Sequence, residues 1–334
     1  MEREGSSVGD VADAAAPAPR PRQGATGDSP RRGEARPRRG EARPRIIDVH
    51  THAFPDALAP QAIARLLARG VWGDIQPASD GTVAGLLAGM DRAGVEQAVV
   101  CSVATRPAQV PKITDWSRAI ASERLIPFAS VHPDFEGPEG ELERIAAAGL
   151  RGLKFHSAYM DCPLDDPRAV RIGRAAARLG LAMAVHAGYD FAFEREDLAS
   201  PERVRRLHRA VPDLRMVACH MGGWRRWPDA LEHVVGLPIY LETSMTLRWC
   251  PRGLFERMVE RHAPELLLFG TDSPWSDPRE DLARLEAVGL PPDLRRRMLW
   301  DNARRFLGLD PEEGVSGHHV PSPHPSPTEG RGRP

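Results

Sequence analysis

The chain has 334 residues, 45 basic against 46 acidic side chains, and a net charge of −1. With 41% hydrophobic and 27% charged residues, it has the composition of a globular protein with a substantial core. No apolar run approaches the ~18 residues of a membrane helix, and the near-neutral balance speaks against a nucleic acid or membrane surface as partner.

The polar start lacks the apolar stretch of a secretory signal, and Cys101, Cys162, Cys219 and Cys250 are scattered. A reducing cytoplasm is the expected compartment, with a small molecule as the partner and homo-oligomers compatible. Of the basic residues only Lys112 and Lys154 are lysine.

Residues 1–45 lack apolar periodicity, and Arg31–Pro37 repeats directly as Arg38–Pro44. Such a segment cannot bury enough apolar surface to offset its ordering entropy, so a disordered tail is expected. Its 10 Arg and 7 acidic residues leave a net of only +3, without aromatics for base stacking, which disfavours a nucleic-acid arm. From residue 46 to about 310, apolar runs alternate with helical patterns. Strands are expected at 45–50, 97–101, 126–131, 152–156, 181–186, 214–220, 239–242 and 266–272. Val83 to Ala93, Asp166 to Leu179 and a capped Ser200 to Ala210 carry helical spacing. Eight strand–helix units in this length predict an α/β fold, a single (β/α)8 TIM barrel. An open doubly wound sheet is the alternative, disfavoured because no Gly-rich phosphate loop follows the first strand. Residues 311–334, with His318, His319 and His324, read as a second disordered tail.

Metal-capable residues collect at the strand ends: Asp48, His50 and His52 on the first, Lys154 and His156 on the fourth, His186, His220 and Asp272 on the fifth, sixth and eighth. Alternation points His50 and His52 one way, and Lys154 and His156 likewise. A lone strand-end histidine is ordinarily structural; a His-X-His pair joined by two more histidines and an aspartate has no packing benefit. Imidazole and carboxylate suit zinc or another first-row divalent ion. Alternation turns Cys219 away from His220, which disfavours a thiolate ligand. His132 and Glu242 read as residues that orient ligands. Tyr159, Phe191, Trp224, Trp275, Arg106 and Arg248 fall on loops after strands. Tyr159, Phe191, Trp224, Trp275 and Arg248 are candidates to line a substrate pocket, and Arg106 and Arg248 to bind a substrate carboxylate.

At these residues the chain resembles the amidohydrolase-related branch of the amidohydrolase superfamily. The motifs are Ile47-Asp48-Val49-His50-Thr51-His52, Gly152-Leu153-Lys154-Phe155-His156, Val185-His186-Ala187-Gly188, Cys219-His220-Met221-Gly222-Gly223, Phe269-Gly270-Thr271-Asp272-Ser273-Pro274-Trp275 and Asn302 to Gly308. The resemblance covers about residues 46 to 309. It implies a metal-dependent barrel enzyme in which His50, His52, His186 and Asp272 hold one divalent ion, most simply zinc. His220 then stands beside the ion as proton shuttle or carbonyl polariser. In two-metal members a carboxylated lysine on strand four bridges the ions, so Lys154, His156 and His220 are further ligand or supporting candidates. One ion is favoured over two. The reaction expected is hydrolysis of a small amide, lactone or ester, with Asp272 and His220 as catalytic residues. Decarboxylation or hydration of an unsaturated or aromatic acid is the alternative. A non-enzymatic barrel or basic-tail binding protein is the third reading, and the strand-end ligand set argues against it.

Overall fold

The computed structural model describes residues 44–71, 75–193 and 197–309. The tails expected at 1–45 and 311–334, and the histidines in the second, lie outside these residues apart from Pro44 and Arg45. Among the described residues eight short strands, buried on both faces, set the architecture: β1 (Ile47–Thr51), β2 (Gln97–Cys101), β3 (Leu125–Phe128), β4 (Gly152–Phe155), β5 (Ala182–Val185), β6 (Met216–Ala218), β7 (Tyr240–Glu242) and β8 (Leu267–Leu268). All pairings are parallel, in one sheet of order β1-β2-β3 and another of order β4-β5-β6-β7-β8. Burial on both faces explains why the strands read as continuous apolar runs.

Main-chain hydrogen bonds also join the sheets at both seams. Ala129 N donates to Gly152 O (3.0 Å) and Lys154 N to Ala129 O (2.8 Å). At the other seam Val49 N donates to Phe269 O (3.0 Å) and Asp272 N to His50 O (2.7 Å).

Helices fill the intervals: α1 (Ala59–Arg69), α2 (Val83–Ala93), α3 (Val110–Ile120), α4 (Pro138–Ala147), the single turn α5 (Ser157–Met160), α6 (Pro167–Arg178), α7 (Pro201–Ala210), α8 (Trp227–His233), α9 (Arg252–Arg261), α10 (Pro278–Val288), α11 (Pro292–Arg296) and α12 (Asn302–Leu307). Their starts follow local chemistry. Thr82 caps α2 by accepting from Gly85 N, and Asp166 caps α6 by accepting from Arg168 N. Ser200 stands at the start of α7 as expected, but its side chain makes no cap bond. Among the described residues no helix is long and apolar enough to cross a membrane.

Alternation along the strands divides the core in two. Leu153, Phe155, Met183, Val185, Met216 and Leu241 pack outward with the helices. Ile47, Val99, Phe128, Ala184, Val217 and Leu268 form an inner cluster that also takes in Ala303, Phe306 and Leu307 of α12. Phe306 sits 4.9 Å from Tyr240 and 6.2 Å from Phe128. Arg151, just before β4, donates to the carbonyls of Leu307 and Gly308. Thus α12 seals the end where strands begin, leaving the polar side chains to gather where they finish.

Three strands depart from simple extension, each beside the polar cluster. A register shift between Asp48 and Thr51 interrupts β1; such a bulge re-aims the side chains beyond it. β6 stops at Ala218 because His220 and Met221 adopt φ of 60° and 53°. β8 has two residues rather than seven, and Asp272 turns the chain at φ 67°. These left-handed conformations are costly for non-glycine residues and persist only where neighbours enforce them.

The Phe306→Ala substitution would empty the plug of the inner cluster. It should lower unfolding free energy by about 3–5 kcal/mol in urea denaturation; a loss under 1 kcal/mol would show that α12 does not carry this core.

Candidate functional site

Glu242 is the centre of a buried polar array at the carboxyl ends of the strands. Its carboxylate is fully buried and takes four donors: His50 Nδ1 (3.0 Å), His220 N (2.9 Å) and Ser244 Oγ (2.7 Å) on Oε1, and Ser244 N (2.6 Å) on Oε2. Gly270 makes the fit possible. A Cβ there would lie 2.3 Å from Glu242 Oε2 and 3.1 Å from His50 Cβ. Asp48 performs a parallel task, taking His50 N, Thr271 N and Thr271 Oγ1 and so tying β1 to the chain after β8. Burial pushes the Asp48 carboxyl up to about 8 against these donors.

The partners fix the imidazole tautomers, because a carbonyl or carboxylate can only accept. His50 spends its Nδ1 proton on Glu242, and His52 spends its own on Cys101 O (2.7 Å). His186 donates through Nε2 to Tyr189 O (2.9 Å), and His220 through Nδ1 toward Ser244 O and Oγ (3.2 and 2.8 Å). The remaining nitrogens are lone pairs, and they face one another. His50 Nε2 and His52 Nε2 lie 3.3 and 2.9 Å from Asp272 Oδ1. His186 Nδ1 lies 3.1 Å from His220 Nε2. The His50 and His220 rings are 5.2 Å apart, so the two pairs adjoin. Acceptors packed against acceptors call for a cation, and histidine plus carboxylate is a donor set that first-row divalent ions take.

Among the described residues, three groups of side chains could hold an ion: His50, His52 and Asp272; His50, His220 and Glu242; and His156, His186 and Asp190. The first unites three of the four ligands the sequence suggests. The fourth, His186, stands instead among His156, Asp190 and His220. In its group His156 Nε2 donates to Asp190 Oδ2 (3.1 Å), and the His156 ring stacks on His186 at 4.0 Å. Burial holds His50, His156, His186 and His220 well below the ordinary histidine range. The Lys154 charge adds to this at His50 and His156, and the neighbouring imidazole adds at His186 and His220.

Lys154 is fully buried among these acceptors, with Nζ 3.0 Å from His50 Nε2 and donating to Cys219 Sγ (3.1 Å). This contact corrects the expectation for Cys219. It faces inward with Val217, and His220 reaches the same volume because its left-handed φ breaks the alternation. Burial pushes the Cys219 thiol well above its ordinary value and Cys101 up to about 12.

Among the supporting candidates, Glu242 is central, whereas His132 accepts from Asp134 N in its own loop. Tyr159 sets its ring against His156 (4.6 Å) and Phe193 (4.8 Å), and Trp275 packs on Phe191 (4.9 Å). Trp224 is buried. Arg106 and Arg248 are exposed, the latter over the Trp249 ring at 4.6 Å. A small cavity beside His186 and Asp190 is lined by Ala158, Gly188, Phe193 and Leu198. Sequence reasoning passed over Ser244 and Asp190. Ser244 follows Glu242 at the two-residue spacing that returns a side chain to one face of a strand, a readable signal. Asp190 lies in the loop after β5, where no periodicity marks it.

Residues 47–309 match the family model described as Amidohydrolase. Solved structures share the fold at low identity. The 5-carboxyvanillate decarboxylase of Sphingomonas paucimobilis is 19% identical at a TM-score of 0.61, over 79% of this chain and 99% of its own. An uncharacterized TIM-barrel protein of Bordetella bronchiseptica is 20% identical at 0.66, over 79% and 98%. A putative 2-pyrone-4,6-dicarboxylic acid hydrolase of Pseudomonas putida is 18% identical at 0.58, over 81% and 100%. No curated protein matches the sequence.

The four depressed imidazoles make stability depend on pH with a definite sign. Below pH 6.5 the unfolded chain takes up protons that the fold refuses, so this stability is present above 6.5 and lost as pH falls. The slope should approach about 1.4 kcal/mol per pH unit for each imidazole. Urea unfolding at pH 7.5 and 5.5 should show the acid loss; equal stability would mean that these rings are not held neutral.

Proposed function

Since the chain belongs to the amidohydrolase family, an enzyme superfamily whose members are metal-dependent, we propose that it is a metal-dependent hydrolase of a small amide, lactone or ester. The observation that carries the reading is the convergence of His50 Nε2, His52 Nε2 and Asp272 Oδ1, three acceptors with no hydrogen to share among themselves. The scaffold in this reading is one closed (β/α)8 barrel over residues 46–310, and the seam hydrogen bonds support the closure.

His50, His52 and Asp272, with His186 turning in, would hold one divalent ion of the zinc class. When bound, the ion supplies Lewis acidity that acidifies water and polarises a carbonyl. Asp272 takes the proton of the attacking water and returns it to the leaving group. His220, oriented by Ser244 and by Glu242 at its backbone nitrogen, presents its Nε2 lone pair to the site and acts as a proton shuttle, donating to the developing oxyanion once that nitrogen has taken up a proton from solvent. Glu242 and Cys101 O hold the His50 and His52 rings in the ligating tautomer. Tyr159, Trp275 and the cavity beside His186 offer the substrate an apolar wall. Arg106 and Arg248 remain candidates for a substrate carboxylate at the rim.

The second reading, decarboxylation of an aromatic acid with His220 as proton donor to carbon, is favoured by the decarboxylases among the similar folds. A panel of lactones, amides, esters and aromatic acids separates the two: acid release without CO₂ supports hydrolysis, and CO₂ release without hydrolysis supports the lyase. His50→Ala should abolish turnover and lower bound metal in elemental analysis; unchanged activity would remove His50 from the site. Glu242→Gln should weaken metal affinity about 10- to 100-fold while the protein remains folded, because His50 Nδ1 then faces a neutral amide in place of its orienting carboxylate. An unchanged affinity would confine Glu242 to a structural part.

A further inference from the structure

Lys154 occupies the wrong place for a ligand. Its amine nitrogen stands 3.0 Å from His50 Nε2, the lone pair left over when the His50 Nδ1 proton is spent on Glu242. An ion held by His50 needs that same lone pair. A carboxylated lysine would carry an added carbon and two oxygens on Nζ, where His50 and the Cys219 sulfur already stand in contact and no surface of the residue is exposed. The amine is instead placed as a cation would be, amid acceptors.

We propose that Lys154 is an internal competitor for the metal, holding the His50 lone pair that the ion requires, so that it weakens metal binding and steadies the metal-free fold. The inference rests on the metal site proposed above. When an ion is taken up, the Lys154 amine leaves His50 and keeps Cys219 as its partner. A lysine can do this because its compact head rides on a flexible stem, whereas a guanidinium is a fixed planar fork. That gives a reason for one of only two lysines in an arginine-rich chain to stand here.

The test uses the full chain stripped with a chelator. Zinc affinity is read by competition with a chromophoric chelator, and melting temperature is read in EDTA and in zinc. Wild type is compared with Lys154→Met, Lys154→Gln and His50→Ala. Removing the competing ammonium should tighten zinc binding about 10-fold or more in both Lys154 variants, the scale of one buried hydrogen bond to a charged group. The same variants should melt lower than wild type in EDTA and gain more on adding zinc. Gln keeps a polar head, so it carries the measurement if Met does not fold. Zinc affinity that falls or stays level in the Lys154 variants overturns the proposal, and a fall together with bicarbonate-dependent wild-type affinity identifies a carboxylated ligand instead. Zinc binding unaltered in His50→Ala brings down the metal site itself, and this inference with it.

Discussion

The buried carboxylate of Glu242 is the constraint from which the polar end of this fold is organised. It accepts hydrogen bonds from the His50 ring, the His220 amide and two donors of Ser244, joining three strand ends through one side chain. A buried carboxylate is tolerable only when its lone pairs are filled, and here they are. The same bonds choose which nitrogen of His50 carries the proton, and with it the direction of the free lone pair. The missing side chain at Gly270 is part of that arrangement, since any Cβ would strike the carboxylate.

Around Glu242 the array runs against the ordinary habit of hydrogen bonding, in which donors meet acceptors. Four imidazole lone pairs and a carboxylate oxygen are held together, with the Lys154 ammonium between His50 and a sulfur. Backbone in the left-handed region at His220 and Asp272 is needed to bring them in, and main-chain bonds hold each in place: Asp272 N to His50 O, and His220 O from the Trp227 indole. Stability spent on unfavourable backbone and unshared lone pairs is characteristic of a site kept for chemistry.

Much of this was legible in the sequence. The strand starts and the helices α2, α6 and α7 follow from apolar spacing, although the cap expected at Ser200 makes no side-chain bond. The clustering of His50, His52 and Asp272 follows from their positions at strand ends. The failures share one cause. Alternation holds only while the backbone stays extended. Where φ turns positive at His220, the rule misplaces Cys219 relative to its neighbour, and β8, followed by the positive φ of Asp272, ends four residues sooner than the strand expected at 266–272. Asp190 was invisible because a loop has no period.

Residue types alone determined that this chain has strand-end imidazoles and carboxylates fit for a divalent ion, and that they lie on an α/β fold of the amidohydrolase kind. Periodicity carries that much because strands and helices are regular. Only the tertiary structure decided which nitrogen of each ring is free, that His186 sides with His156 and His220, and that Lys154 points at His50. Those facts depend on hydrogen bonds between distant residues, such as His50 and Glu242, 192 positions apart, and no local pattern encodes them.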